Sequence, residues 1–124
     1  MLFNIKVLSA LALVAGTANA ALTCFVECTG KKVYQPQNYE ELNCEVTRSD
    51  GFKSFPGGNA FGDFPSVCNG DYCLTQRWAD CRYLDLSVNG KTYSGFGQCD
   101  TWTRSKGGDL TYYRRSRVTL GCQF

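Results

Sequence analysis

Residues 101–124 bring Arg104, Lys106, Arg114, Arg115 and Arg117 together with Trp102, Tyr112 and Tyr113, against Asp109 as the single acid. That is a local balance of +4, whereas residues 21–100 carry 7 basic and 10 acidic side chains. Guanidinium groups beside aromatic rings suit two kinds of contact. They hold phosphates while the rings stack on unpaired bases. They also anchor protein interfaces, where Arg, Tyr and Trp are enriched. These eight residues are the candidate partner-binding set, for a protein or an RNA. The competing possibility is a solvated edge hairpin whose charges deter strand pairing. As binding residues, Arg114, Arg115 and Arg117 are expected to matter more for the partner than for stability.

The chain has no His, which removes the commonest general base and the commonest metal ligand. Acid–base work would fall to carboxylates. Glu40 and Glu41 are adjacent and point apart, while Asp80 and Asp85 flank Cys81 without needing to converge. A glycosidase needs two carboxyls across a cleft, and chains this small seldom carve one. Gly57-Gly58 lacks the Lys and hydroxyl of a phosphate loop. No catalytic residue is assigned, and no enzyme is expected.

Cys24, Cys28, Cys44, Cys68, Cys73, Cys81, Cys99 and Cys122 make an even set. In a small exported chain such a set implies four disulfides, whose pairing the sequence leaves open. The close spacings, C-x3-C and C-x4-C, lack the tight ligand pairs of zinc sites. Neither metal nor cofactor is expected.

Residues 1–20 read as a secretory signal peptide. Lys6 supplies its charge, Val7 to Gly16 its apolar stretch and Ala18-Asn19-Ala20 its cleavage site. The apolar stretch is too short to span a bilayer. Residues 21–124 then form a single disulfide-rich domain. Lys6 leaves with the leader, so that domain holds 12 basic against 11 acidic residues. A near-neutral balance excludes a strongly basic nucleic-acid protein as a description of the whole molecule. The expected product is a secreted, extracellular monomer with no DNA partner and no membrane insertion.

Several elements must position these residues. Leu22–Cys28 reads as a strand, Thr29-Gly30 as a turn and Lys31–Gln35 as the returning strand of an N-terminal hairpin. Pro36–Val46 is the one helix-like segment, with Asn38 as cap, Glu40 and Glu41 in the first turn, and Leu42 and Val46 four apart. Ser49–Asp71 is rich in Gly and Pro. It reads as a loop held down by Phe52, Phe55, Phe61 and Phe64 and by Cys68 and Cys73. Leu84–Val88 alternates, Asn89-Gly90 is a type I′ turn signal, and Lys91–Tyr93 returns, with Leu86, Val88 and Tyr93 on one face. In the last run Val118, Leu120 and Cys122 alternate inward. The expected fold is α+β and strand-dominated, a small disulfide-stapled antiparallel sheet with at most one short helix. The alternative is an all-β sandwich.

The order of features resembles the small secreted fungal guanyl-specific ribonucleases and the RNase-like effectors of plant-pathogenic fungi. Cys28-x-Gly30-x-x-Val33-Tyr34 is similar to the family's N-terminal motif, and Phe55-Pro56 to its Tyr-Pro-His, with Gly57 where the catalytic His would stand. Leu86 through Gly95 is similar to the strand that carries the family's catalytic Glu, which places Tyr83 on that position. Arg117-Val118 looks like the family's Arg-Val strand, making Arg117 the phosphate-contacting Arg. The second catalytic His has no counterpart. The resemblance therefore implies a fold kept while its hydrolytic residues were lost, in a protein that binds rather than cuts. Phe96-Gly97-x-Cys99, Asp109-Leu110 and Arg117-Val118-x-x-Gly121-Cys122 also look like part of a βγ-crystallin domain, a fold found in secreted microbial killer toxins. The expected function is that of a secreted, cysteine-rich, virulence-associated fungal effector that binds without catalysis. An antimicrobial or killer toxin is the alternative, and a small secreted hydrolase ranks third.

Overall fold

The computed structural model describes residues 22–35 and 38–122. The expected signal peptide, and the Pro36-Gln37 start of the expected helix, lie outside them. Ten strands follow one another: β1 (Thr23–Gln35), β2 (Tyr39–Arg48), β3 (Lys53–Ser54), β4 (Gly57–Asn59), β5 (Ser66–Asn69), β6 (Tyr72–Gln76), β7 (Tyr83–Val88), β8 (Lys91–Phe96), β9 (Gln98–Lys106) and β10 (Asp109–Gly121). One antiparallel sheet has the order β3-β2-β1-β10-β9, with β4 taking a second length of the free edge of β2. The other runs β5-β6-β7-β8. The architecture is all-β among the described residues, in line with the sandwich alternative. No helix among them is long and apolar enough to cross a membrane.

Period-two alternation builds the core. Cys24, Val26 and Cys28 of β1, Leu42, Cys44 and Val46 of β2, and Val118 and Leu120 of β10 turn inward from the larger sheet. Tyr72 and Leu74 of β6 and Leu84, Leu86 and Val88 of β7 meet them from the smaller one, in a single buried cluster. The expected β7–β8 hairpin is present, its turn made by Asn89 at φ 53° and Gly90 at φ 80°. The inward alternation of Val118, Leu120 and Cys122 is present as well.

Two expected elements are corrected. The segment read as a helix is strand β2 from Tyr39 onward. Leu42 and Val46 are four apart, a spacing that suits one helix face and one strand face alike. Cys44 between them completes the strand alternation, and ten register pairs to β1 decide for the sheet. The turn read at Thr29-Gly30 does not exist, because β1 runs unbroken through it. Gly30 is instead a point of close packing: a methyl there would collide with Gln76 Oε1 and lie 3.0 Å from the Trp78 ring.

The loop expected over Ser49–Asp71 contains β3, β4 and β5. It is anchored by its backbone on β2, as in Cys44 N–H donating to Pro56 O at 2.8 Å, and by buried Ser54, Pro56 and Ala60. All four phenylalanines are exposed, and Phe52 stacks on Tyr72 with ring centroids 5.3 Å apart.

All eight cysteines are paired. Cys28–Cys44 and Cys68–Cys73 join residues directly opposite on neighbouring strands, and Cys24–Cys122 closes the ends of β1 and β10. Cys81–Cys99 ties the β6–β7 connection to β9. The chain passes from the smaller sheet into the larger through Gly97 alone. Its N–H donates to Arg82 O at 2.8 Å, and a Cβ there would collide with the carbonyl oxygen of Arg117. Four disulfides in a small β protein are consistent with a secreted cysteine-rich protein.

Candidate interaction face

β9 is the edge of the larger sheet, and β10 is its neighbour. Antiparallel register puts Trp102 opposite Tyr113, Thr111 opposite Arg104, and Arg115 opposite Asp100. Side chains alternate across a strand. Trp102, Arg104 and Lys106 therefore share the outer face of this sheet with Tyr113, Arg115 and Arg117, whereas Tyr112 and Arg114 project to the other side.

On the outer face the residues form a ladder. Trp102 and Tyr113 stack with centroids 5.0 Å apart and planes 5° apart. The Arg104 guanidinium lies 5.6 Å from the Tyr113 centroid, and that of Arg115 lies 5.5 Å from Trp102. Both are within cation–π range. The Gly107-Gly108 turn, with φ values of 60° and 92°, closes the hairpin beside Lys106. The Gly pair was the available sequence signal for that turn.

Folding sets carboxylates against two of the five cations of residues 101–124. Arg115 and Arg117 each donate to Asp100 Oδ2, at 3.4 and 3.2 Å, and their Nε atoms lie 3.9 and 4.0 Å from Glu27 Oε2. Both carboxylates lie outside residues 101–124 in the cases that matter: Asp100 one position before, Glu27 across on β1. Arg104 keeps its ring contact with Tyr113 and has no ion pair among the described residues.

Arg114 and Tyr112 lie half-buried on the inner face of the sheet. Trp78 meets two cations: the Arg114 guanidinium lies 4.8 Å from its ring centre and Lys32 Nζ lies 4.6 Å from it. Lys32 is 6% exposed; its ammonium donates to Gly62 O at 2.9 Å and pairs with Glu40 at 3.1 Å. Tyr112 packs edge-on against Tyr34. Beneath them Gln76, fully buried, donates from Nε2 to Arg114 O at 3.1 Å and to Ser116 Oγ at 2.9 Å, and Ser116 donates onward to Cys81 O. Gln76 and Trp78 were missed from the sequence, although Tyr72, Leu74 and Gln76 keep one alternation.

The carboxylates considered for catalysis do not converge. Glu40 and Glu41 take opposite faces of β2, Glu40 to Lys32 and Glu41 to Tyr39 and Asn43. Asp80 accepts two hydrogen bonds from Arg82, Nη2 at 2.6 Å and Nε at 2.8 Å, and these hold its carboxyl down at about 2. Asp85 accepts from Ser94 Oγ at 2.7 Å. Of the positions matched to the ribonuclease motifs, Gly57 pairs with Asn43 on β2, and β1 separates β2 from β10, which carries Arg117. Three strand spacings, about 14 Å, lie between Gly57 and Arg117. Tyr83 sits on the other sheet against Phe96, centroids 4.9 Å apart. No group of three or more metal-ligating side chains is gathered among the described residues. No family model, curated protein or solved structure matches the chain.

Proposed function

We propose that this is a secreted, cysteine-rich effector that acts on a host by binding one of its proteins, as a monomer and without catalysis. The carrying observation is the Trp102–Tyr113 stack at the sheet edge, flanked by the guanidinium groups of Arg104 and Arg115. Flat aromatic area beside Arg is the composition of interface anchors, and four disulfides hold it on a rigid sheet. An edge strand also offers unpaired backbone groups that a partner strand can take up. The pairing of Arg115 and Arg117 with Asp100 and Glu27 favours a protein over RNA, because a phosphate chain would meet carboxylates along the same face. The resemblance to RNase-like fungal effectors supports the host-directed role.

A photo-crosslinker at Thr103, on the oxidised protein in host extract, tests this. Discrete protein adducts that disappear in Trp102→Ala/Tyr113→Ala are expected. Adducts formed only with RNA, or adducts indifferent to that variant, would overturn it. The all-β architecture favours a second reading, a toxin acting on a competing microbe, which predicts growth inhibition that weakens as salt rises.

A further inference from the structure

On the same outer face, toward the other end of the sheet, Glu27 of β1 stands directly opposite Glu45 of β2. Like charges in that position destabilise a sheet, yet the next residue on each strand, Cys28 and Cys44, carries a disulfide on the opposite face. The bridge locks the two strands at a Cα separation of 4.0 Å and so fixes the spacing of the two carboxylates. They line an open cavity of about 630 Å³ with Arg117 and Gln98. Phe25, 51% exposed, and Phe96, 58% exposed, line it as well. That volume lies within the range of small-molecule sites, which combine apolar walls with a few placed polar groups.

Each charge of the lining already has a partner. Lys53, which does not itself line the cavity, lies 3.3 Å from Glu45, and Arg117 lies 4.0 Å from Glu27 and 3.2 Å from Asp100. A ligand of either sign would leave one of these groups unmatched. What fits is a neutral molecule with many hydroxyls and an apolar ring face. The carboxylates accept from hydroxyls, Arg117 and Gln98 donate to them, and the two phenyl rings cover the C–H face. We propose that this cavity binds a neutral oligosaccharide, independently of the protein-binding face around Trp102.

The test is a titration of the oxidised protein with cellotetraose, chitotetraose, maltotetraose and mannotetraose in turn, read by amide chemical shifts. At least one sugar is expected to move the amides of Phe25–Glu27, Glu45–Thr47 and Phe96–Gln98 saturably. Phe25→Ala should weaken that binding about tenfold. Glu45→Gln, which keeps the shape and relieves the facing charges, should weaken it several-fold without lowering the melting temperature. Trp102→Ala should leave it unchanged. The proposal is overturned if no tetrasaccharide shifts these amides, if trilysine binds there instead, or if Glu45→Gln binds as well as the parent.

Discussion

Trp102 of β9 and Tyr113 of β10 are register partners whose rings lie parallel, 5.0 Å between centroids. A cross-strand aromatic pair adds stability to the hairpin that carries it. It also presents a flat surface whose shape costs little entropy to hold. The same pair thus stiffens the edge of the sheet and forms the centre of the proposed binding face. Arg104 and Arg115 extend the ladder at both ends.

The arginines separate by role. Arg114 is half-buried against Trp78, while Arg104 is exposed and contacts a ring on the open face. Arg114→Ser should cost about 1–2 kcal/mol in urea unfolding, and Arg104→Ser should cost less than about 0.5 kcal/mol. Equal losses would show that burial does not distinguish them. This departs from the sequence expectation, which treats Arg114 and Arg115 alike as binding residues.

Gly30 is held by close packing against Gln76 and Trp78. Gly30→Ala is expected to destabilise the protein by about 1–3 kcal/mol. Gly121→Ala, where nothing lies within 4 Å of the added Cβ, should be close to neutral. Thermal melting of the oxidised variants decides this, and a neutral Gly30→Ala would mean that Gln76 moves aside freely.

The four bridges should differ in worth. Cys24–Cys122 spans 98 residues, and Cys68–Cys73 spans 5. By loop-closure entropy the first contributes about 2–3 kcal/mol more than the second. Replacing each pair by Ser and comparing urea midpoints tests that order, and a larger loss from the Cys68–Cys73 pair would reverse it.

Much of the scaffold was legible. Leu84–Tyr93 announced its hairpin because alternation and the Asn89-Gly90 turn agree locally, with no help needed from distant residues. Val118, Leu120 and Cys122 announced a strand for the same reason. β2 was not legible, since Leu42 and Val46 satisfy both periods and its strand state comes from pairing with β1. Gly30 misled because glycine marks turns and close contacts alike, and the contact with Gln76 spans 46 positions of sequence. At the interaction face the residue types were readable, but their grouping was not. Which arginines meet Glu27 and Asp100, and which lies under Trp78, follows from register and alternation only once the sheet order is known.

Asp80 gives a pH signature. Two hydrogen bonds from the Arg82 side chain, helped by one from its backbone N–H, hold the carboxyl at about 2 against an ordinary value of 3.8. A carboxyl lowered on folding contributes stability that is complete above its unfolded value and is lost as pH falls through its folded one. The pair should therefore be indifferent to pH above about 5 and fail between about 4 and 2. The carboxyl carbon shift of Asp80 is expected to titrate near 2 in the parent and at a higher pH in Arg82→Ala. Titration of the parent near 3.8 would contradict the pairing.

The protein is proposed to act on a host through the Trp102–Tyr113 face. The most direct measurement delivers oxidised protein into plant leaf tissue and compares the response to the parent with that to Trp102→Ala/Arg104→Ser, after confirming that both melt at the same temperature. The account predicts a response to the parent that the variant loses. An equal response to both, or none to the parent together with killing of a competing microbe, would contradict it.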